Sequence, residues 1–116
     1  MPLGDLLPCW ASVVAGFSFE AFVIEEILKG LNDLRIPVEA YYYRTYSGVE
    51  IDLILEGNFG ILPIEIKYGS TILSRQLRAM TVFIEEHCLP LGVVINQAEK
   101  VEWLTKNIIQ VPAGYL

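Results

Sequence analysis

Apolar positions recur at helical spacing in two segments of the chain. Residues 17–33 repeat apolar side chains at three- and four-residue intervals, which is the spacing of one buried face of an α-helix. Ser18 stands where an N-cap is expected. Residues 74–88 show the same spacing, with Ser74 as a candidate cap. The pattern therefore predicts two amphipathic helices.

Between these helices lie three segments with the alternation and the β-forming residues of strands. They are residues 38–45, 50–56 and 61–67. The short sequences YSGV and EGNFG separate them and predict turns, so we expect an antiparallel meander. In the middle strand, alternation predicts that Ile51, Leu53 and Leu55 share one face.

The rest of the chain adds shorter elements. Residues 91–96 are almost entirely apolar, as is typical of a buried strand at the centre of a sheet. Residues 100–111 predict one or two more short strands, and residues 1–16, apolar but interrupted, predict a short helix and a loop. The resulting order αβββαβ predicts an α/β or α+β fold, in which helices flank one mixed central sheet.

Composition indicates one domain that buries part of its surface against a partner. The chain has 116 residues, of which 53% are hydrophobic, and its mean hydropathy is +0.46. This apolar content is above that of an ordinary soluble domain. A second copy or a neighbouring domain would cover the additional apolar surface. The longest uncharged stretch, between Asp5 and Glu20, has 14 residues and falls short of the ~20 that a membrane span needs.

Other sorting signals are equally weak. No basic residue precedes that stretch, which does not fit a signal peptide. Two cysteines, Cys9 and Cys88, are too few for a disulfide framework or a structural zinc site. We therefore expect a cytoplasmic protein without membrane contact.

Charge argues against a general nucleic-acid binder but permits a local basic patch. Fourteen acidic and eight basic residues give a net charge of −6, the opposite of the usual signature of such proteins. Half of the basic residues nevertheless lie in one short window. They are Arg44, Lys67, Arg75 and Arg78.

The stretch PIEIKYG, residues 63–69, carries the candidate chemistry. Alternation puts Glu65 and Lys67 on one face of their strand. The same rule puts Glu50 and Asp52 together on one face of the preceding strand. If these strands form a hairpin, Asp52 and Glu65 lie side by side, where their like charges repel and raise a pKa. A divalent cation removes this conflict, and oxygen-rich sites of this kind suit Mg²⁺ or Mn²⁺.

The constellation resembles a known nuclease superfamily. Glu20 on a helix, Asp52 on a strand and Glu65-Ile66-Lys67 on the next strand resemble the PD-(D/E)xK, or restriction-endonuclease-like, nucleases. The αβββαβ order matches the core of that superfamily. Gln76 lies where its RecB and archaeal Holliday-junction-resolvase branches often carry a glutamine.

This resemblance implies a set of roles in the hydrolysis of DNA phosphodiesters. Asp52 and Glu65 would hold Mg²⁺ or Mn²⁺, with the Ile66 carbonyl as a further ligand. Lys67 would position or activate the attacking water, and Glu20 would complete the metal or water shell. The residues that would assist or contact DNA are Gln76, Arg44, Arg75 and Arg78.

A closer resemblance covers residues 16–116. The sequences GFSFEAFVIE, YRT with GVEIDL, and IEIK are similar to an uncharacterised domain at the C-terminus of many prokaryotic AAA+ ATPases. The chain has no G-x-x-x-x-G-K-[ST] segment and so departs from the layout of those proteins. It would be a fragment, a stand-alone version or part of a split gene, and residues 1–15 would be an apolar segment or the remnant of a preceding module.

Several alternatives remain open at this stage. Glu65 and Lys67 can pair on a solvent-facing sheet surface, Asp52 can bond to Arg44 across the hairpin, and Glu20 can be an ordinary first-turn residue of a helix. In that case the domain is a catalytically silent interaction module. It would form a homodimer or dock on an ATPase module.

Overall fold

The computed structural model describes residues 6–8, 19–46, 49–70, 72 and 74–116, with the backbone alone at 6–8. Within these ranges the chain forms one mixed sheet with two helices. The helices are α1, Phe19–Asp33, and α2, Ser74–Glu86. The strands are β1, Leu6–Pro8; β2, Val38–Arg44; β3, Glu50–Gly57; β4, Gly60–Ile66; β5, Gly92–Asn96; β6, Glu102–Trp103; and β7, Ile108–Pro112.

Strand pairing changes from antiparallel to parallel at β4. Its strand order is β1-β2-β3-β4-β5-β7-β6. Strands β2, β3 and β4 pair antiparallel, as the predicted meander requires, and β1 adds to β2 in the same sense. Strand β4 then pairs parallel with β5, and β5 with β7, before β6 returns antiparallel. The predicted αβββαβ order and the α/β, or α+β, fold with a mixed sheet are confirmed.

The two helices cover opposite faces of the sheet. Val23 and Ile24 of α1 pack on a cluster that includes Ile95 of β5. Met80 and Ile84 of α2 pack on a cluster that includes Val94, the residue before Ile95 in β5. Because neighbouring strand residues point to opposite faces, the helices lie on opposite sides of β5. Within the described residues, no helix has the length and apolar character to cross a bilayer.

The prediction of a helix near the N-terminus is wrong for residues 6–8. This segment is strand β1, which pairs with β2 from Leu6 opposite Tyr43 to Pro8 opposite Tyr41. Without β1, the backbone groups along that side of β2 would be unpaired at the sheet edge. The other residues of 1–16, the Ser18 cap, and residues 47–48 of the predicted turn lie outside the described residues.

The prediction that the apolar residues of β3 share one face is wrong at Ile51. Leu53 packs with α1, whereas Ile51 packs with Phe83 of α2. The register of β2 and β3 explains the difference, because two steps along β2, residues 41–43, lie opposite three steps along β3, residues 51–54. A β-bulge of this kind reverses the alternation locally and is common beside functional sites.

Candidate carboxylate and lysine site

The candidate site lies where β3 and β4 separate. Leu53 pairs with Ile64, which brings Asp52 and Glu65 to the next position of the two strands. There the Ile66 N–H donates a hydrogen bond to Oδ2 of Asp52 at 2.8 Å. The Asp52 carboxylate thus accepts a backbone N–H of β4, as a main-chain carbonyl does within a ladder. The predicted juxtaposition of Asp52 and Glu65 follows directly from the hairpin.

Both carboxyl groups are withdrawn from water. Asp52 is 8% exposed and Glu65 is 7% exposed. Removing a carboxylate from water is unfavourable unless it is hydrogen-bonded, paired or protonated. The alternative in which Glu65 lies on a solvent-facing sheet surface is therefore wrong. Its side chain lies on the sheet face opposite α1, since Ile64 and Ile66 on either side of it pack with α1.

Glu65 holds a proton at neutral pH. Burial is the main reason that its pKa is raised to about 10, and the hydrogen bond with Asp52 and the charges of Asp52 and Glu20 add to the effect. The Lys67 ammonium opposes the rise. The direction of this shift favours the protonated form of Glu65, in which the carboxyl can donate a hydrogen bond.

Glu20 approaches the same carboxylate from α1. It lies in the first turn of that helix, and its pKa is raised to about 7, mainly by burial and then by the charge of Asp52 and a hydrogen bond with it. The charge of Glu50 makes a smaller contribution. Asp52 therefore has an acidic neighbour from α1 as well as one from β4, and Glu20 is more than a first-turn residue that stabilises its helix.

The donor atoms suit a hard divalent cation. Among the described residues, no three His, Cys, Asp or Glu side chains form a group that is ready to hold a metal ion. Mg²⁺ does not need such a group, because it is commonly held by one or two carboxylates and keeps several waters. Asp52 and Glu65 supply oxygen ligands only, and their mutual repulsion when both are ionised is what a cation would remove. The residues present fit such an ion.

A cavity of about 540 Å³ opens from these carboxyl groups toward the first turns of α2. We call it the carboxylate cavity. The predicted residues that line it are Asp52, Glu65, Ile66, Lys67, Arg75 and Gln76, and Glu50 lines it as well. A second hollow, of about 420 Å³, lies on the α1 side and is called the Tyr68 hollow. It is lined by Phe19, Glu20, Ile66, Lys67 and Tyr68.

Two of the predicted arginines lie apart from the cavity lining that the described residues form. The Arg44 guanidinium makes an exposed ion pair with Glu50, with 3.6 Å between Nε and Oε1. This pair connects β2 to β3 where the alternative predicted a bond to Asp52. Arg78 is exposed on α2 and is not part of the lining. Arg75, also exposed, does line the carboxylate cavity.

Sequence reasoning missed three residues near the site. Tyr42 makes a hydrogen bond with the Glu50 carboxylate, and its pKa is raised mainly by burial. Tyr68 lines the hollow beside Lys67. Gln97 accepts a hydrogen bond from the Gly69 N–H through Oε1 at 2.9 Å and donates its own N–H to the Gly69 carbonyl at 2.7 Å. Tyr68 was visible beside Lys67 in the sequence, whereas Gln97 depends on the parallel pairing of β4 with β5.

Comparison with known protein families gives a match for this chain. Residues 15–116 match the family model described as Domain of unknown function (DUF4143). The chain belongs to this family. The DUF4143 domain is typically found in AAA-ATPase-associated proteins. Comparisons with curated proteins and with solved structures found no match.

Proposed function

We propose that this DUF4143 domain is a metal-dependent, nuclease-like domain that hydrolyses DNA phosphodiesters in association with an AAA+ ATPase. The observation that supports the proposal is the meeting of Asp52 and Glu65, both buried, beside Lys67 in an open cavity. Carboxylates that share protons in a cleft, with an ammonium beside them, are typical of functional sites. Burying the carboxyl groups of Asp52 and Glu65 side by side is unfavourable, and a purely structural role does not explain why the fold tolerates this cost.

The ion in this proposal is Mg²⁺ or Mn²⁺. Asp52 and Glu65 would hold it, with the Ile66 carbonyl as a third oxygen ligand. When bound, such an ion lowers the pKa of a coordinated water and neutralises charge on the phosphate. Glu65 would have to release its proton before it binds the ion, since a ligating carboxyl is ionised. The Ile66 N–H donates to Oδ2 of Asp52 and so would orient this carboxylate toward the ion.

Lys67 is the residue closest to the developing charge in this scheme. Its backbone N–H donates to the Ile95 carbonyl at 2.8 Å, which ties the end of β4 to β5. Its side chain lines the carboxylate cavity, where the ammonium can donate to a non-bridging phosphate oxygen or orient the attacking water. Glu20 lines the neighbouring Tyr68 hollow and makes a hydrogen bond with Asp52, from where it would complete the metal or water shell.

The start of α2 would receive the phosphate. Arg75 and Gln76 line the cavity and are the second and third residues of that helix. The first turn of a helix has free N–H groups and favours negative charge. Arg44, paired with Glu50 at the rim, would contact DNA farther from the scissile bond.

The test is DNA cleavage with matched variants. Purified protein is incubated with plasmid, duplex and forked DNA in Mg²⁺ or Mn²⁺. Asp52→Asn and Lys67→Ala should each lower the rate at least about 100-fold, as loss of one stabilising group in an active site does. Lys29→Ala, which removes an exposed lysine of α1, should cleave like the wild type. No cleavage of any of these DNAs, together with no heat of metal binding in calorimetry, would make the nuclease proposal wrong.

Exposed apolar side chains away from the site favour a second candidate, a docking or dimerisation module. Leu34, Phe59 and Trp103 are 71%, 50% and 58% exposed, and large exposed apolar residues often mark interfaces. Light scattering after size exclusion tests this candidate. A stable dimer, or a complex with an ATPase module, that is indifferent to DNA at low salt would support it in place of the nuclease.

A further inference from the structure

An exposed aromatic ring lies beside the candidate site. Tyr68 directly follows Lys67 and is 74% exposed. It lines the Tyr68 hollow together with Glu20 and Lys67, which also belong to the candidate site. Its ring has solvent on most of its surface, within the wall of a cavity rather than at an isolated surface position.

The ring is supported from one side. Phe19, the first residue of α1, meets it edge to face, with 5.4 Å between ring centroids and 77° between ring planes. Phe19 itself packs against the α1 side of the core. An edge-to-face pair of this kind is favourable and leaves part of the Tyr68 ring available to a further planar group.

The backbone on both sides of Tyr68 is also anchored. The Lys67 N–H bonds to Ile95 of β5, and Gly69 makes its two hydrogen bonds with Gln97. Gly69 has a φ of +121°, a conformation that favours glycine. Because the backbone is already anchored, little backbone entropy is lost when a ligand binds to the side chain.

The charge of the domain limits how it can hold DNA. The net charge is −6, and the basic side chains that line the two cavities are Lys67 and Arg75. A long duplex is normally held through many phosphate contacts. A site with so few cations needs another source of affinity, and a base stacked on an aromatic ring supplies it independently of sequence.

We propose that Tyr68 is a stacking platform for an unpaired DNA base next to the scissile phosphate, so that the substrates of this site are single-stranded or forked DNA. The inference rests on the proposed function for the identity of the substrate. A base within a duplex is stacked on its neighbours and cannot reach the ring face, whereas an unpaired base can lie on Tyr68 while its phosphate reaches Lys67.

Binding can be measured apart from cleavage. Fluorescence anisotropy with labelled oligothymidylate, a matched duplex and a fork is carried out in Ca²⁺ in place of Mg²⁺, to limit hydrolysis. Tyr68→Ala should bind oligothymidylate about 5- to 150-fold more weakly, the loss expected for one base–aromatic stack, and duplex should bind more weakly than oligothymidylate to the wild type. Tyr68→Phe keeps the ring face and should bind within about twofold of the wild type.

The control is Trp103→Ala. Trp103 is an exposed aromatic residue on β6, at the far edge of the sheet from β4, and its loss should leave oligothymidylate binding unchanged. The wild-type affinity should also fall only gently with salt, with a slope of log K against log salt near −1.4 for two phosphate contacts to a single strand.

The outcomes separate the two proposals. Weaker binding by Tyr68→Ala with retention by Tyr68→Phe supports the stacking platform even if no DNA is cleaved, in which case the nuclease proposal alone fails. Equal binding by Tyr68→Ala and the wild type overturns the platform, also when the protein cleaves DNA through Lys67. A preference for duplex, or no binding to oligothymidylate at all, overturns it as well.

Discussion

The proton on Glu65 makes the stability of the metal-free domain depend on pH. Burial raises the pKa of this carboxyl to about 10, whereas an unfolded chain has a glutamate pKa of about 4.3. Between these two values the folded state holds a proton that the unfolded state has released. The stabilisation is therefore complete below pH ~4.3 and is lost as pH rises toward 10, so the free energy of unfolding should fall with increasing pH.

The magnitude follows from the number of protons. One extra proton on the folded state changes the free energy of unfolding by about 1.4 kcal/mol per pH unit. Two pH units, from about 5.5 to about 7.5, therefore cost about 2.7 kcal/mol. For a domain near 100 residues this lowers Tm by about 11 °C. Glu20, with its pKa raised to about 7, acts in the same direction up to that pH, and less strongly since it is partly exposed.

The assay is thermal unfolding by circular dichroism in EDTA at several pH values. Glu65→Gln replaces the protonated carboxyl by a neutral group of the same shape, so its Tm should change less with pH than that of the wild type. Glu102→Gln, an exposed position on β6, is the control and should keep the wild-type slope. Mg²⁺ should raise the Tm of the wild type at pH 7.5 and leave Glu65→Gln nearly unchanged, since a ligand that binds only the folded state stabilises it.

Two results would refute this reasoning. If the wild type and Glu65→Gln show the same dependence of Tm on pH, Glu65 does not hold the proton that burial implies. If Mg²⁺ stabilises both proteins equally, the ion binds elsewhere and Glu65 is not a ligand.

Three further predictions concern the frame around the site. Gly92→Ala should lower the free energy of unfolding by about 1–3 kcal/mol in chemical denaturation, because a Cβ at that position would lie 2.7 Å from Sδ of Met80; a variant as stable as the wild type would show that α2 yields easily. Gln97→Ala should speed hydrogen exchange at Gly69, whose N–H loses its acceptor, and unchanged exchange would contradict the proposed anchor. Arg44→Ala should unfold within about 1 kcal/mol of the wild type, since exposed ion pairs contribute little, and a larger loss in a urea titration would contradict that expectation.

The hairpin and the pair of carboxyl groups were predictable because both depend on local sequence. Alternation and two short turns determine the meander of β2, β3 and β4, and the register of the second hairpin brings Asp52 to Glu65. Glu20 could be assigned to the first turn of a helix, and the acidic contact with Asp52 then depends on how that helix packs. These features lie within about fifty residues of one another along the chain and need little knowledge of the rest of the fold.

The features that escaped prediction depend on partners that are distant or irregular. Residues 6–8 show no alternation and include Pro8, and they are a strand because β2 offers them an unpaired edge. Ile51 lies on the other face of the sheet from Leu53 because of a β-bulge. No residue type in the sequence predicts this bulge. Gln97 reaches Gly69 only because β4 and β5 run parallel, and such pairing of segments about thirty residues apart is not encoded by periodicity.

Strand β4 joins a part of the sheet that is local in sequence to a part that is not. Its antiparallel neighbour β3 is reached through a tight turn, whereas its parallel neighbour β5 is reached only after α2. Contacts between distant segments form late in folding, because closing the intervening loop costs entropy first. The hairpin can therefore bring Asp52 and Glu65 together early, while Lys67 gains its anchor on Ile95 only when β5 has joined the sheet. The acidic pair thus depends on a local hairpin, whereas the fixed lysine also requires β5, so the complete site can serve as a marker of the completed fold.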